Sequence, residues 1–289
     1  MAHGKARRTP RRMREGKALT GRKVTLTMLQ PFLASADAFT QQHFANRHAI
    51  LLRYPQSGAV TFAAVVWENS FHANALYFDV VGDVAWLPQL LEDLRQLADH
   101  HDRLQYSSYA AQSAVITQLQ AKHFRAFRRT AMSDYRKVVA TPEADVRSRS
   151  QLTSAQWHDV VQMSFANYVA AHADNPVTFN HATFEQQLAE AEDTQPSFLV
   201  ENQQVQAYVF WFEDEPGALT SAWLGGQQFA DIRRLLQTAL FQVQARYSVV
   251  NGEFDDTDIH AWPVYQQLAL PDPKPLISWQ LLLDATRTQ

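Results

Sequence analysis

The sequence contains no cysteine. Disulfides, thiolate metal sites and a cysteine nucleophile are therefore excluded. Glycine is also scarce, with 9 in 289 residues. No Gly-rich nucleotide loop, Gly-x-Ser-x-Gly elbow or His-Glu-x-x-His pair occurs. No apolar run approaches the ~20 residues needed to span a bilayer. The stretch MAHGKARRTPRRMREGK has no apolar segment, so it does not read as a secretory signal. A soluble, cytoplasmic protein with no membrane partner is expected.

What is present is ordinary for a globular chain: 46% hydrophobic and 19% charged residues. At about 100–200 residues per domain, the length implies two domains. The net charge of −3 hides an asymmetry. Residues 1–23 carry nine Lys/Arg and one acid, Glu15, leaving 17 Lys/Arg against 28 Asp/Glu elsewhere, a net of −11. A basic arm of this kind can neutralise nucleic-acid phosphates. The acidic remainder repels a duplex at close range, so a basic disordered tail over 1–23 is the expectation, and nucleic acid is not an expected partner except through that tail.

Patterning divides the rest into elements. VTLTML (24–29) alternates as a short strand does, and 35–48 reads as a helix. Strands follow at 49–54, 59–68 and 75–81. Residues 87–100 form an amphipathic helix with Leu87, Leu90, Leu91, Leu94 and Leu97 on one stripe. A strand at 104–109, a helix at 112–122 and a strand at 124–139 complete the first half. The polar stretch TPEADVRSRS (141–150) reads as a linker. The order then repeats: helices at 153–169 and 181–192, strands at 197–202, 205–213 and 218–223, a helix at 229–245, a strand at 247–254, a short helix through AWPVYQQL, and a strand at 275–283. A turn at Gln203-Gln204 joins the first two of these strands. Shared order over more than a hundred residues points to an internal repeat. The expected domains are 24–140 and 151–286.

This pattern resembles the GNAT superfamily of acyl-CoA-dependent N-acyltransferases, counted as two tandem copies. FLVENQQVQAYVFWF is similar to the family's second and third strands. DIHAWPVYQQLAL is similar to its late helix, with Asp258 at the usual Asn place and Tyr265 at the Tyr place. The resemblance implies an α/β (α+β) fold, each copy a mixed, mostly antiparallel central sheet flanked by helices. It implies acetyl-CoA or another acyl-CoA as co-substrate, no metal, and a small-molecule or peptide amine as acceptor. The family's pyrophosphate loop falls on Gln227-Gln228-Phe229-Ala230-Asp231-Ile232, at a helix start whose free N–H groups and dipole suit an anion. Gln227 fits the first place, while Ala230 replaces a glycine, Ile232 replaces a small residue and Asp231 adds an opposing charge. Backbone N–H groups near Trp223 and Leu224 correspond to those that polarise the thioester carbonyl, and Tyr265 corresponds to the general acid.

In the first half the same count places Gly82-Asp83-Val84-Ala85-Trp86-Leu87 in the loop and Leu119 at the tyrosine place. A leucine donates no proton, so the first copy is expected to be non-catalytic. Glu253, Asp255, Asp256 and Asp258 form either a solvated acidic loop or a group that holds an amine. His172 and His181 flank the loop where the family contacts its acceptor. His100, His101 and Asp102 read as polar residues at a helix end, and Trp157, Phe165, Tyr168, Phe179 and Phe184 as core. Two other readings stay open: a non-catalytic binding or assembly protein on this fold, and an aminoacyl transferase resembling the Fem class.

Overall fold

A computed structural model describes residues 22–23, 26–46, 49–55, 58–109, 113–139 and 145–283. The basic stretch before Arg22 and residues 141–144 of the expected linker lie outside them. In chain order the strands are β1 (Arg22–Lys23), β2 (Ile50–Tyr54), β3 (Phe62–Glu68), β4 (Ala75–Gly82), β5 (Arg103–Ser108), β6 (Arg125–Asp134), β7 (Val146–Arg147), β8 (Phe198–Glu201), β9 (Gln204–Glu215), β10 (Ala218–Gly226), β11 (Val249–Asp255) and β12 (Leu276–Leu282). The helices are α1 (Leu26–Leu33), α2 (Ala38–Phe44), α3 (Leu87–Leu97), α4 (Ala114–Ala121), α5 (Ser154–Ala171), α6 (His181–Leu188), α7 (Phe229–Val243) and α8 (Ala261–Leu268).

The chain forms two compact units, passing between them after Phe127 and again after Leu276. The first unit's sheet has the order β1-β2-β3-β4-β5-β12. Its strands are antiparallel except β4 and β5, which run parallel with Ala75 opposite Arg103. The second unit's sheet has the order β7-β8-β9-β10-β11-β6. It too is antiparallel except at one pair, β10 and β11. In each unit the parallel pair is joined by a crossover helix, α3 or α7, as parallel pairing requires. Each sheet thus repeats one pattern, and each takes its last strand from the other half of the sequence.

Both faces of each sheet are covered. In the second unit Val209 and Trp211 pack into the cluster under α7, while Tyr208 and Phe210 pack into the one under α5 and α6. Period-2 alternation with apolar residues on both sides explains the unbroken run VQAYVFWF. In the first unit α3 buries Leu87, Leu90, Leu91 and Leu94, and α1 buries Leu29 and Leu33 against Ala63, Val65 and Val81.

Two local expectations are corrected. Leu26–Leu29 of VTLTML form the start of a helix and not a strand: the apolar alternation stops at Leu29, and the i, i+4 pair Leu29 and Leu33 carries α1 into the core; residues 24–25 lie outside the described residues. The β8–β9 turn lies one residue earlier than Gln203-Gln204. Asn202 and Gln203 both take positive φ, 50° and 67°, as a two-residue hairpin turn that matches strand twist demands, and Asn tolerates this region well.

Candidate active site

The second unit contains a break in its sheet. β10 pairs with β11 only from Ala218 opposite Val249 to Ser221 opposite Gly252. Its pairing with β9 then shifts between Ser221 and Trp223, leaving Ala222 as the extra residue of a bulge. Bulges bend a strand and re-aim its side chains. Beyond it, β10 stays with β9 to Gly226, while β11 continues against β6 through Asp255. The two strands part, and Trp223 and Leu224 stand on the parted arm. Trp223 packs among Tyr168, Phe184, Phe210 and Phe212. Leu224 is buried on the opposite face.

The parted arm runs into α7. The Gln227 N–H donates to the Gln206 carbonyl at 2.9 Å, and those of Asp231 and Ile232 donate to the Gln228 carbonyl at 3.1 and 3.3 Å. The Gln228 side chain makes no capping bond. Among the described residues, no partner meets the N–H groups of Phe229 and Ala230. Ile232 is fully buried, and its side chain fills the core cluster under α7 beside Gly226. Asp231 does not stand alone: Arg234 lies 3.7 Å from it and 2.7 Å from Glu201.

Tyr265 lies on α8, its ring against Phe254 of the parted β11 and against Trp262. Its hydroxyl accepts the Asp272 N–H at 2.8 Å, which leaves the phenolic proton to be donated. Asp258 accepts from the N–H groups of His260 and Ala261 at 2.8 and 3.0 Å. It caps the start of α8, and burial raises its carboxyl above the usual range against those two bonds.

No protein-family model matches the sequence, and no curated protein matches it. Solved structures do. A GCN5-related N-acetyltransferase from Sphaerobacter thermophilus matches 91% of this chain and 95% of its own with a TM-score of 0.57 at 13% identity. The fold is that of the GCN5-related N-acetyltransferases. A second such protein, from Kribbella flavida, matches 93% of this chain and 73% of its own, with a TM-score of 0.46 at 14% identity. A GNAT-family acetyltransferase from Colwellia psychrerythraea matches 90% and 98%, with a TM-score of 0.47 at 9% identity.

On this GNAT fold the acidic run after β11 does not present free carboxylates. Asp255 meets Arg128 at 3.2 Å and accepts from the Thr130 hydroxyl. Asp256 accepts the Arg129 N–H at 2.7 Å, and Asp258 is the cap described above. His172 is buried, its Nδ1 2.8 Å from the Tyr168 carbonyl and its Nε2 4.0 Å from Asp255. Burial and the Arg128 guanidinium push its pKa down to about 3, so the ring is neutral near pH 7. His181 starts α6, with its ring against Phe165.

Sequence reasoning missed the pair Asn167 and Tyr208. Asn167 donates to the Tyr208 hydroxyl at 3.0 Å, and Gly225 of the parted arm lies against both. A Cβ at Gly225 would sit 2.6 Å from each. The close approach of a strand glycine was the available signal. Arg234 was missed as well, although its i, i+3 spacing from Asp231 could have revealed it. Two surface cavities, of about 430 and 420 Å³, lie elsewhere in this unit and include none of the expected site residues. No helix among the described residues is long and apolar enough to cross a membrane.

Proposed function

We propose that the Arg128–Leu276 unit is an acyl-CoA-dependent N-acyltransferase, with acetyl-CoA as the donor and a small-molecule or peptide amine as the acceptor. One observation carries this reading: β10 and β11 part after Ser221, beside a helix start whose first N–H groups have no partner. Unpaired N–H groups at the positive end of a helix dipole suit a pyrophosphate, so the Phe229 and Ala230 N–H groups form its cradle, in the loop that Gln227, Asp231 and Ile232 complete. A gap between two strands admits an extended pantetheine arm as if it were a further strand.

The chemistry is direct attack. The amine nitrogen bonds to the thioester carbonyl carbon, and at the Trp223–Leu224 step the backbone N–H that faces away from β9, that of Leu224, stabilises the developing oxyanion. The C–S bond breaks, and Tyr265 gives its proton to the departing thiolate. The surplus proton on the new amide nitrogen leaves to water, which restores the tyrosine. Asp258 acts through α8, whose first turn it caps and which carries Tyr265. The first unit has no part in this chemistry.

The test is calorimetric titration of acetyl-CoA and CoA into the full chain, followed by a thiol-release assay over a panel of amines. Binding with amine-dependent thiol release is expected. No binding at millimolar CoA would refute the reading and favour a non-catalytic role for the fold.

A further inference from the structure

The first unit holds a cluster that acyl transfer does not use. We propose that Glu68, His100 and His101 form a binding site for a divalent first-row transition cation of the zinc class. Glu68 ends β3, opposite Leu76 of β4, and Leu76 in turn lies opposite Leu104 of β5. After α3 the chain turns back, with the His101 N–H on the Ala98 carbonyl and the Asp102 N–H on the Asn74 carbonyl. That turn delivers both imidazoles to the end of β3.

The geometry points to a cation. The Nε2 atoms of His100 and His101 each lie 3.3 Å from the same Glu68 oxygen, Oε1. One ligand atom from each of the three residues lies within 4.8 Å of the others. Zinc bound at about 2.0–2.2 Å to nitrogen and oxygen in a tetrahedron has ligand–ligand edges of roughly 3.3–3.5 Å. Two of the three separations already have that length.

A second observation is independent of these distances. The His101 side chain is 0% exposed, yet neither ring nitrogen makes a hydrogen bond. Buried polar groups normally find partners, and a cation bound between the imidazoles and Glu68 supplies one to Nε2. His100 is 64% exposed, so a fourth position stays open to water. Asp102 does not fill it, because its carboxylate is engaged by the Arg103 guanidinium at 2.5 and 3.0 Å. Two imidazoles and one carboxylate favour zinc or cobalt over magnesium or calcium. A bound ion would tie the end of β3 to the turn that enters β5.

The experiment is a Co²⁺ titration of the chelator-treated full chain, followed by visible absorption, with Zn²⁺ displacement and a Mg²⁺ control. The native chain is expected to show the strong bands of a four-coordinate ion, lost on adding Zn²⁺ and unaffected by Mg²⁺. A hundredfold excess of Zn²⁺ over its Kd should raise the Tm by roughly 5 °C. His101→Ala would empty a buried position, so the decisive variants are His100→Ala, at an exposed ring, and Glu68→Gln. Each should weaken Co²⁺ binding at that site by at least about tenfold while leaving the circular dichroism spectrum unchanged. Equal Co²⁺ affinity and bands in the native chain and both variants would overturn the proposal, as would a native chain showing only a six-coordinate spectrum.

Discussion

The helices α3 and α7 stand at the same place in the repeated order, yet they begin differently. At α3 the chain satisfies itself. The Asp83 carboxylate accepts the Ala85 N–H at 3.0 Å, the Trp86 N–H bonds the Asp83 carbonyl, and Pro88 has no N–H to offer. Gly82, at φ +99°, is pressed against the Thr61 carbonyl, where a Cβ would come within 2.2 Å. At α7 the Gln228 side chain caps nothing, and Arg234 answers the Asp231 charge. A helix dipole becomes an anion site only where the chain leaves its first N–H groups unspent. The late helices differ in the same sense: Leu119 of α4 is fully buried, whereas Tyr265 of α8 presents a hydroxyl that accepts one bond and keeps its proton.

Four substitutions can break or sharpen this contrast. Tyr265→Phe should lower turnover by about 10²-fold or more, with CoA affinity nearly unchanged, since a general acid acts on the transition state. A thiol-release assay and calorimetry on one preparation would check both halves of that statement. Gly82→Ala should destabilise the protein by at least about 2 kcal/mol, because the positive φ and the Thr61 carbonyl both oppose a side chain. Urea unfolding measures this loss, and CoA affinity of the remaining folded protein should not change. Asp83→Ala removes a cap and should cost about 1 kcal/mol without creating a CoA site in the first unit. Asp231→Asn has the smallest effect. It should tighten CoA binding by about a few tenths of a kcal/mol, the size of a screened charge effect at a helix end, with Arg234 already offsetting part of the charge.

The element order and the crossover helices were legible because their apolar periods are strong. The leucine stripe of α3 and the two-sided run in β9 allow one reading each. Strand exchange was not legible. Nothing local in PLISWQLLL names β5 as the partner of β12, since pairing is decided by long-range registry. The site was legible in part. Tyr265 and the loop from Gln227 to Ile232 were singled out by the family resemblance, and the structure puts them on α8 and at the start of α7. The fates of Asp255 and Asp256 were hidden because their partners, Arg128, Thr130 and Arg129, lie more than a hundred residues away. The turn at Asn202 was misjudged by one residue because backbone φ, more than residue type, selects its position.

The central claim is that an acyl-CoA engages the start of α7 and leaves the start of α3 untouched. Hydrogen–deuterium exchange with and without saturating CoA tests it most directly, with segments 227–232 and 82–88 followed in one experiment. The account predicts slower exchange at 227–232, where the Phe229 and Ala230 N–H groups gain phosphate partners, and no change at 82–88. Protection at 82–88, or unchanged exchange at 227–232 under saturating CoA, would contradict it.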